Sequence, residues 1–435
     1  SDEFAARTPV ETIHSGPAAS AIGGRFLSRN DDALIVDVGG TTTDIALIVD
    51  GQVTVSEEGA TVGDYKTSVK AANLLSIALG GDSHIGLGHD KEILLGPERV
   101  APLAYLAWKY PQVHRQLKAL ALRTWSQATP DWLEYWFLLR DASGSGEPRS
   151  TREQDLLALL HDGPRPVPEI LKELKLLHVA QAGVAELFRQ EVVGRAGLTS
   201  TDLMHIDGRY DVWDVEASTL AWKVFCQFQF RDPDEVRREV WSHASEMILH
   251  AILTFLAARP LQLGDRQRSL SGADRDMARW FFYNSLYSAH PHLETSMRLR
   301  KPIIGIGAPA SIFLPPVAEA LHTELLLPEH HQVANAVGAI AGSVMVEEEL
   351  LIYPQLSRSG LEIFGYYVQA NDERYEFEDL GEALAQARAL SRQRALGAAL
   401  RSGADNPQVT VEELSDGLDT YRIRAKAMGN PRLTR

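Results

Sequence analysis

An α/β fold is what this sequence predicts, and three stretches carry the expectation. Two short apolar runs, 33–38 and 45–49, flank a Gly/Thr loop as a pair of strands does. Residues 234–258 place Val236, Val240, Ala244, Ile248, Ala251 and Phe255 on one face of a helix. Residues 301–314, KPIIGIGAPASIFL, read as a buried strand that enters a small-residue loop. With 435 residues, 45% of them hydrophobic, the chain is long enough to bury more than one core.

Near the start, TPVETIHSGPAAS at 8–20 puts Ser15 and Gly16 ahead of Pro17 and a run of small residues. This is N-cap logic followed by proline in the first helical turn. Exposed amides there could hold an anion, or Ser15 could simply cap the helix. His14 is equally open between a ligand and a packed side chain. A chain that begins at serine, almost on top of a motif, reads as a fragment.

Residues 33–56, ALIVDVGGTTTDIALIVDGQVTVS, hold the strongest functional signal. Asp50 and Gly51 supply a two-residue turn able to take positive φ, which returns the chain through Gln52 to Ser56. The Gly/Thr loop therefore joins strand to strand. That excludes a P-loop and a dinucleotide fingerprint, which need a helix N-terminus at the phosphate. A strand-to-strand turn still makes an anion cradle: Gly39 and Gly40 let backbone N–H groups approach closely, and Thr41, Thr42 and Thr43 add hydroxyl donors. Asp37 and Asp44 flank it with negative charge. Two carboxylates repel a phosphate unless a divalent cation sits between, usually Mg²⁺ with several waters that the carboxylates hold. The pattern implies a metal-bound polyphosphate. The alternative is a Gly-rich hairpin in which Asp37 ends a strand and Asp44 satisfies turn amides.

Residues 80–84, GGDSH, form a second glycine-rich turn, whose Asp82, Ser83 and His84 either face a ligand or close on their own backbone. Residues 101–140 are rich in Trp and Tyr and read as helical, with Tyr105, Trp108, Trp125, Trp132, Tyr135 and Trp136 as a packing stripe. The run DASGSGEPR at 141–149 is a linker by composition. Short helices follow to 209, with Thr199 or Ser200 placed to cap one of them. Their balanced charges argue against DNA reading.

In 301–314, Gly305, Gly307, Ala308 and Pro309 build a loop that suits either a flat ring or a tight strand-to-helix turn. Pro315 and Pro316 then start a helix. Residues 328–345 have the Ala, Gly and Asn content of closely packed helices, and the adjacent His330 and His331 cannot both face one site on a helix. Beyond 352, strands, a helix over 380–400 and two closing strands make a small α/β unit. Leu380, Leu384, Ala387 and Leu396 are its expected helical core face.

A formal net charge of −15 disfavours nonspecific attraction to DNA or anionic membrane. Cys226 is the only cysteine, which excludes an internal disulfide and a thiolate metal cluster. The nearest thing to a long apolar run, 251–258, is too short to span a bilayer. No secretory pattern opens the chain, so a reducing cytoplasm is the expected compartment.

In this order, TPVETIHSGPAAS, ALIVDVGGTTTDIALI, SIALGGDSHIGL, IIGIGAPASIFLPPVAEAL and VANAVGAIAG resemble the hydantoinase/oxoprolinase family, within the actin-like (ribonuclease H-like) superfamily of sugar kinases, actin and chaperone ATPases. The likeness covers 8–88 and 301–346 and is weak between them. It implies an actin-like ATPase domain with a helical insertion and a small C-terminal α/β unit. Residues 1–100 would form the first part of the ATPase domain, 101–235 the insertion, 236–350 the remainder and 351–435 the terminal unit.

The implied activity is ATP-dependent hydrolysis of cyclic amides, of hydantoin or 5-oxoproline type. Phosphorylation of the ring carbonyl oxygen makes a better leaving group before water opens the ring. ATP and Mg²⁺ are the implied cofactors. Carried over by position, Asp37 and Asp44 would be the catalytic and metal-organising residues, and Gly39, Gly40, Thr41, Thr42 and Thr43 would bind phosphates. Gly80, Gly81 and Ser83 would border the cleft, and Gly305 and Gly307 would lie under the adenosine. The implied partners are a small cyclic amide and either a second hydantoinase-type subunit or further copies of the chain, with no nucleic acid and no membrane.

Three departures accompany the likeness. Family members of this type carry an upstream domain with the first phosphate loop, and none precedes Ser1, so an incomplete cleft is expected. Asn73 stands where the family tends to place an acidic residue. GIGAPA replaces the more usual Gly-Gly-Ala-Gly-Pro loop. Two other functions fit the same residues: a non-catalytic actin-like nucleotide-binding subunit with an assembly or regulatory role, and an ATP-dependent carboxylase subunit.

Overall fold

A computed structural model describes residues 15–56, 61–62, 65–66, 71–124, 129–140, 150–258, 261–263, 266–268, 272–341, 344–356, 362–370, 373–417 and 419–431. His14, Trp125 and the linker 141–149 lie outside the described residues. The fold is mixed α/β. It divides into two compact units, one of 31–52 and 74–333, the other of 1–30, 53–73 and 334–435.

Along the chain come α1 (Ser15–Ser28), β1 (Ala33–Val38), β2 (Thr43–Val49), β3 (Leu74–Ile77), β4 (Ser83–Leu87) and β5 (Ile93–Arg99). Then follow α2 (Leu103–Lys109), β6 (Tyr135–Leu138), β7 (Val193–Gly197), α3 (Ser200–Ile206), α4 (Val215–Gln229) and α5 (Pro233–Ala257). The remainder is β8 (Ile303–Ile306), α6 (Ala310–Ala320), β9 (Leu325–Leu326), α7 (Ala334–Ala341), β10 (Val344–Leu356), β11 (Ile363–Ala370), β12 (Glu373–Phe377), α8 (Leu380–Arg401), β13 (Ala404–Gly417) and β14 (Thr420–Pro431).

The larger unit is organised by a mixed sheet in which β9, β8, β1 and β2 are successive neighbours and β3 pairs with β2. β1 runs parallel to β8, with Leu34 opposite Ile303 and Asp37 opposite Ile306. It runs antiparallel to β2. Five of the six β1 residues are buried, as a central strand covered on both faces requires. The hairpin beyond β2 turns at Asp50 and Gly51, with φ of 51° and 72°, the pair of positive values that the Asp-Gly sequence predicts.

Around this sheet Leu34, Val36, Ile45, Leu103, Phe225 and Phe313 share one core. The predicted face of α5 is buried as expected, Val236, Val240, Ala244, Ile248, Ala251 and Phe255 all included. α5 is long and apolar enough to cross a membrane by length and composition. Its opposite side carries Arg237, Arg238 and Glu239, and its apolar side is spent on the core.

Two expectations are corrected here. Tyr135 and Trp136 belong to strand β6, each 1% exposed, and β6 pairs antiparallel with β7. Aromatic residues favour strands as readily as helix faces, and the following β-type pairing decides. α6 starts at Ala310, ahead of the two prolines, and contains both. Pro315 and Pro316 lie on its exposed side, while Phe313, Leu314, Val317 and Ala318 are buried, so packing outweighs the missing N–H groups.

In the smaller unit, a sheet in the order β12-β11-β10-β14-β13 is covered by α8. The buried residues of α8 are Ala383, Ala387, Ser391, Ala395 and Ala399, spaced four apart. Leu396, expected in the core, is 37% exposed. A stripe of small residues lets the helix lie close to the sheet, which a leucine stripe would prevent. α1 and α7 also meet at backbone contact. A Cβ on Gly23 would lie 1.8 Å from Ala334 O, and one on Gly338 would lie 1.7 Å from Ala19 O.

Candidate functional site

The site is assembled entirely within the larger unit, where β1 hands over to β2. Asp37 and Asp44 are direct cross-strand partners in that ladder. Residues opposite each other in an antiparallel pair project to the same face, with Cβ atoms about 5 Å apart. Both are half-buried. The Thr42 hydroxyl donates to Asp44 Oδ2 at 3.3 Å. Asp37 is bounded by the loop after β8: Gly307 has φ of +88°, and a Cβ there would fall 2.8 Å from Asp37 Oδ1 and 2.1 Å from Val38 O. Only glycine serves at that position, on conformational and on steric grounds. Gly307 N–H is held by His331 O at 3.0 Å.

Between the aspartates the loop has a fixed shape. Gly39 N–H donates to Thr42 O at 2.9 Å. The carbonyls of Gly39 and Gly40 accept from Gly81 N–H at 3.1 Å and Asp82 N–H at 2.7 Å. The second glycine turn is thus stapled beneath the first. A Cβ on Gly80 would lie 2.5 Å from Gly39 O and 2.6 Å from Gly40 O, so the two turns touch at a position where no side chain fits. With its carbonyls turned down, the loop leaves its amides on the other side. Among the described residues, the N–H groups of Gly40, Thr41 and Thr42 donate to no acceptor. Gly40 and Thr41 are exposed.

The three threonines separate by role. Thr43 is fully buried and its hydroxyl donates to Leu79 O at 2.8 Å, which fastens β2 to the second turn. Thr42 serves Asp44. Thr41 is the one whose hydroxyl faces solvent. Ser83 is 4% exposed, and its Oγ accepts from Gly80 N–H at 2.9 Å, closing the GGDS turn on itself. Gly81 is buried beneath α3, its carbonyl accepting both the N–H and the hydroxyl of Thr201 at 2.8 Å. Gly305 lies within β8 rather than in the loop after it. A Cβ there would lie 2.7 Å from Leu314 Cδ1 and 2.8 Å from Leu327 Cδ2, so its missing side chain makes room for leucines.

Asp82, which the sequence leaves open between a ligand and a turn residue, stands at the edge of the loop. Its Oδ2 lies 3.0 Å from where a Gly40 Cβ would stand, and it accepts from Arg99 Nε at 3.2 Å. Burial pushes its carboxyl above the ordinary value, and the Arg99 guanidinium opposes that rise. The support under α3 is Asp202, fully buried. It completes a capping box with Thr199 and also accepts the N–H groups of Leu103 and Ala104 at the start of α2, at 3.2 and 2.8 Å. The Thr199 cap is legible in the sequence. The second helix that Asp202 serves, 98 residues away, is not.

Among the described residues no group of three or more His, Cys, Asp or Glu side chains comes together as a metal cluster. The facing pair of carboxylates is the donor set that the loop offers.

Residues 1–106 match the family model described as hydantoinase/oxoprolinase. The segment contains the Asp37–Asp44 hairpin and the GGDS turn. No curated protein sequence matches the chain. Among the solved structures that resemble it are two ATP-dependent enzymes. One is acetone carboxylase in its nucleotide-free form, from work on ATP-dependent acetone carboxylation, at 14% identity and a TM-score of 0.47. The other is an ATP-dependent caprolactamase from Pseudomonas jessenii, at 15% identity and a TM-score of 0.37. Each is matched by 97% of this chain, which spans 50% of either structure.

Proposed function

We propose that this chain carries the nucleotide-binding core of an ATP-dependent hydrolase that opens cyclic amides, of hydantoin or 5-oxoproline type, through phosphorylation of the ring carbonyl. The reading includes an actin-like arrangement, with 1–100 and 236–350 as the ATPase domain, 101–235 inserted into it and 351–435 as a terminal unit. The observation that carries it is the facing of Asp37 and Asp44 beside a loop whose Gly40, Thr41 and Thr42 amides meet no acceptor among the described residues. Like charges placed opposite each other are unfavourable by themselves, and a divalent cation between them removes the penalty. Mg²⁺ suits a site with few protein oxygens, since it keeps several waters and takes phosphate oxygens for the rest. Asp37 and Asp44 would hold it, and when bound it neutralises charge on the phosphates.

The chain's own contribution is position. The N–H groups of Gly40, Thr41 and Thr42, with the Thr41 hydroxyl, would receive phosphate oxygens in the manner of a backbone nest. Thr42 orients the Asp44 carboxylate, and Gly307 allows the loop after β8 to close against Asp37. The hydantoinase/oxoprolinase match over 1–106 supports the reaction class.

Phosphate release measured with Mg²⁺, ATP and a panel of hydantoins and 5-oxoproline tests the proposal, using the chain together with any subunit that copurifies. Release stimulated by a cyclic amide supports it. Stimulation only by a ketone with bicarbonate transfers the site to a carboxylase, and ATP binding with no stimulation transfers it to a non-catalytic subunit.

A further inference from the structure

A cavity of about 770 Å³ opens beside the GGDS turn, lined by β4 and β5, by residues 129–134 and by α4. Its volume is in the range of small-molecule sites. Ile85, Leu133, Leu198 and Phe225 provide apolar wall. His84 stands on it immediately after Ser83, so its Cα is at most about 7 Å from that of Asp82 under the Gly40 loop. The imidazole is seated between two glycines: a Cβ on Gly197 would lie 3.0 Å from its Nε2, and one on Gly86 would lie 3.6 Å from its Nδ1. Among the described residues, neither ring nitrogen makes a hydrogen bond. Burial holds the imidazole below its ordinary pKa and so in the neutral form, with the carboxylates of Glu134 and Glu98 opposing the shift and Arg195 adding to it. A neutral imidazole offers one donor and one acceptor.

The cations of the wall are already engaged. Arg195 is held between Glu98, at 2.9 Å, and Glu134, at 2.9 Å. The Lys91 ammonium lies 5.0 Å from the centre of the Phe228 ring. Asp131 adds a third carboxylate against these two cations. An incoming carboxylate would meet surplus negative charge and no unpaired guanidinium. An uncharged molecule meets apolar wall and one histidine without a partner.

We propose that this cavity binds a compact, uncharged organic molecule bearing a carbonyl or amide group, with His84 as its hydrogen-bonding partner, and that it discriminates against carboxylates, which narrows the function proposed above to its hydantoin type. That the bound molecule is the phosphoryl acceptor rests on the function proposed above; its binding does not.

The matched probes are 5-oxoprolinamide and 5-oxoproline, which share a ring and differ in charge. Titrated calorimetrically into the whole chain without nucleotide, the amide should bind about tenfold more tightly than the acid. His84→Ala should weaken the amide about fivefold, the loss of one hydrogen bond. In the wild-type protein, labelled imidazole nitrogen resonances of His84 should shift on adding the amide, which makes the test independent of how variants fold. Equal or tighter binding of the acid, or no movement of the His84 resonances, would each overturn the assignment. Amide binding without amide-stimulated phosphate release would leave the cavity standing and remove only the hydrolase.

Discussion

Asp37 and Asp44 face each other across the β1–β2 ladder, last but one and second in their strands. A cross-strand pair of like charges costs roughly 0.2–1 kcal/mol relative to a neutral pair. Asp37→Asn should therefore raise stability by about that amount without metal. The gain should vanish when Mg²⁺ is added, because the wild type alone then gains a bound cation. ATP turnover should fall to background. Urea unfolding midpoints with and without Mg²⁺, alongside phosphate release, check all three; unchanged turnover would remove the metal role of Asp37.

Gly80 is the point where the two glycine turns touch. Gly80→Ala pushes a methyl group onto the carbonyls of Gly39 and Gly40, 2.5 and 2.6 Å away, and backbone is on both sides of the clash. The expected cost is about 1–3 kcal/mol, as for overpacking elsewhere. Because the Gly39 and Gly40 carbonyls are held by Gly81 and Asp82, the loop that they aim moves with them. Nucleotide affinity should drop more than stability does, which calorimetry with ATP against thermal unfolding separates.

Much of this architecture is written locally. The Asp50-Gly51 turn needs two positive φ values, the α5 face repeats at helical spacing, and the β1 and β8 runs carry no charged residue but Asp37, so each is legible from a few neighbouring residues. What escapes the sequence depends on distant partners. Thr43 and Ser83 look like ligand hydroxyls until Leu79 O and Gly80 N–H are seen to occupy them. Gly305 resembles a loop glycine because the leucines that fill its space lie on α6 and beyond β9. The α8 core face is misread because Ala and Ser at four-residue spacing carry little apolar signal beside exposed leucines. Asp82 needs Arg99 and Gly40 in place before its position has meaning.

His84 sets a pH dependence. Its folded-state pKa lies below the ordinary 6.5 because burial disfavours the imidazolium. As pH falls through 6.5 the unfolded chain takes up a proton that the folded chain does not, so stability declines until the folded-state value is passed. His84→Gln cannot titrate and should flatten that part of the curve. Chemical unfolding of both proteins between neutral and mildly acid pH measures it. A wild-type slope that survives the substitution unchanged would assign the dependence to another group.

α1 and α7 give the last prediction, in the smaller unit. Each helix places a glycine against the other's backbone, Gly23 on Ala334 O and Gly338 on Ala19 O, at separations under 2 Å for any Cβ. A methyl group at either position has no flexible side chain to displace, only a carbonyl. In an isolated helix Gly→Ala is favourable by about 1 kcal/mol. Here the sign should reverse, because the helices must separate and give up their contact along its length. Gly23→Ala and Gly338→Ala should each lower the unfolding midpoint, and the double variant should cost less than the sum of the two, since one separation relieves both clashes. Additive losses would mean that the two glycines act at independent contacts.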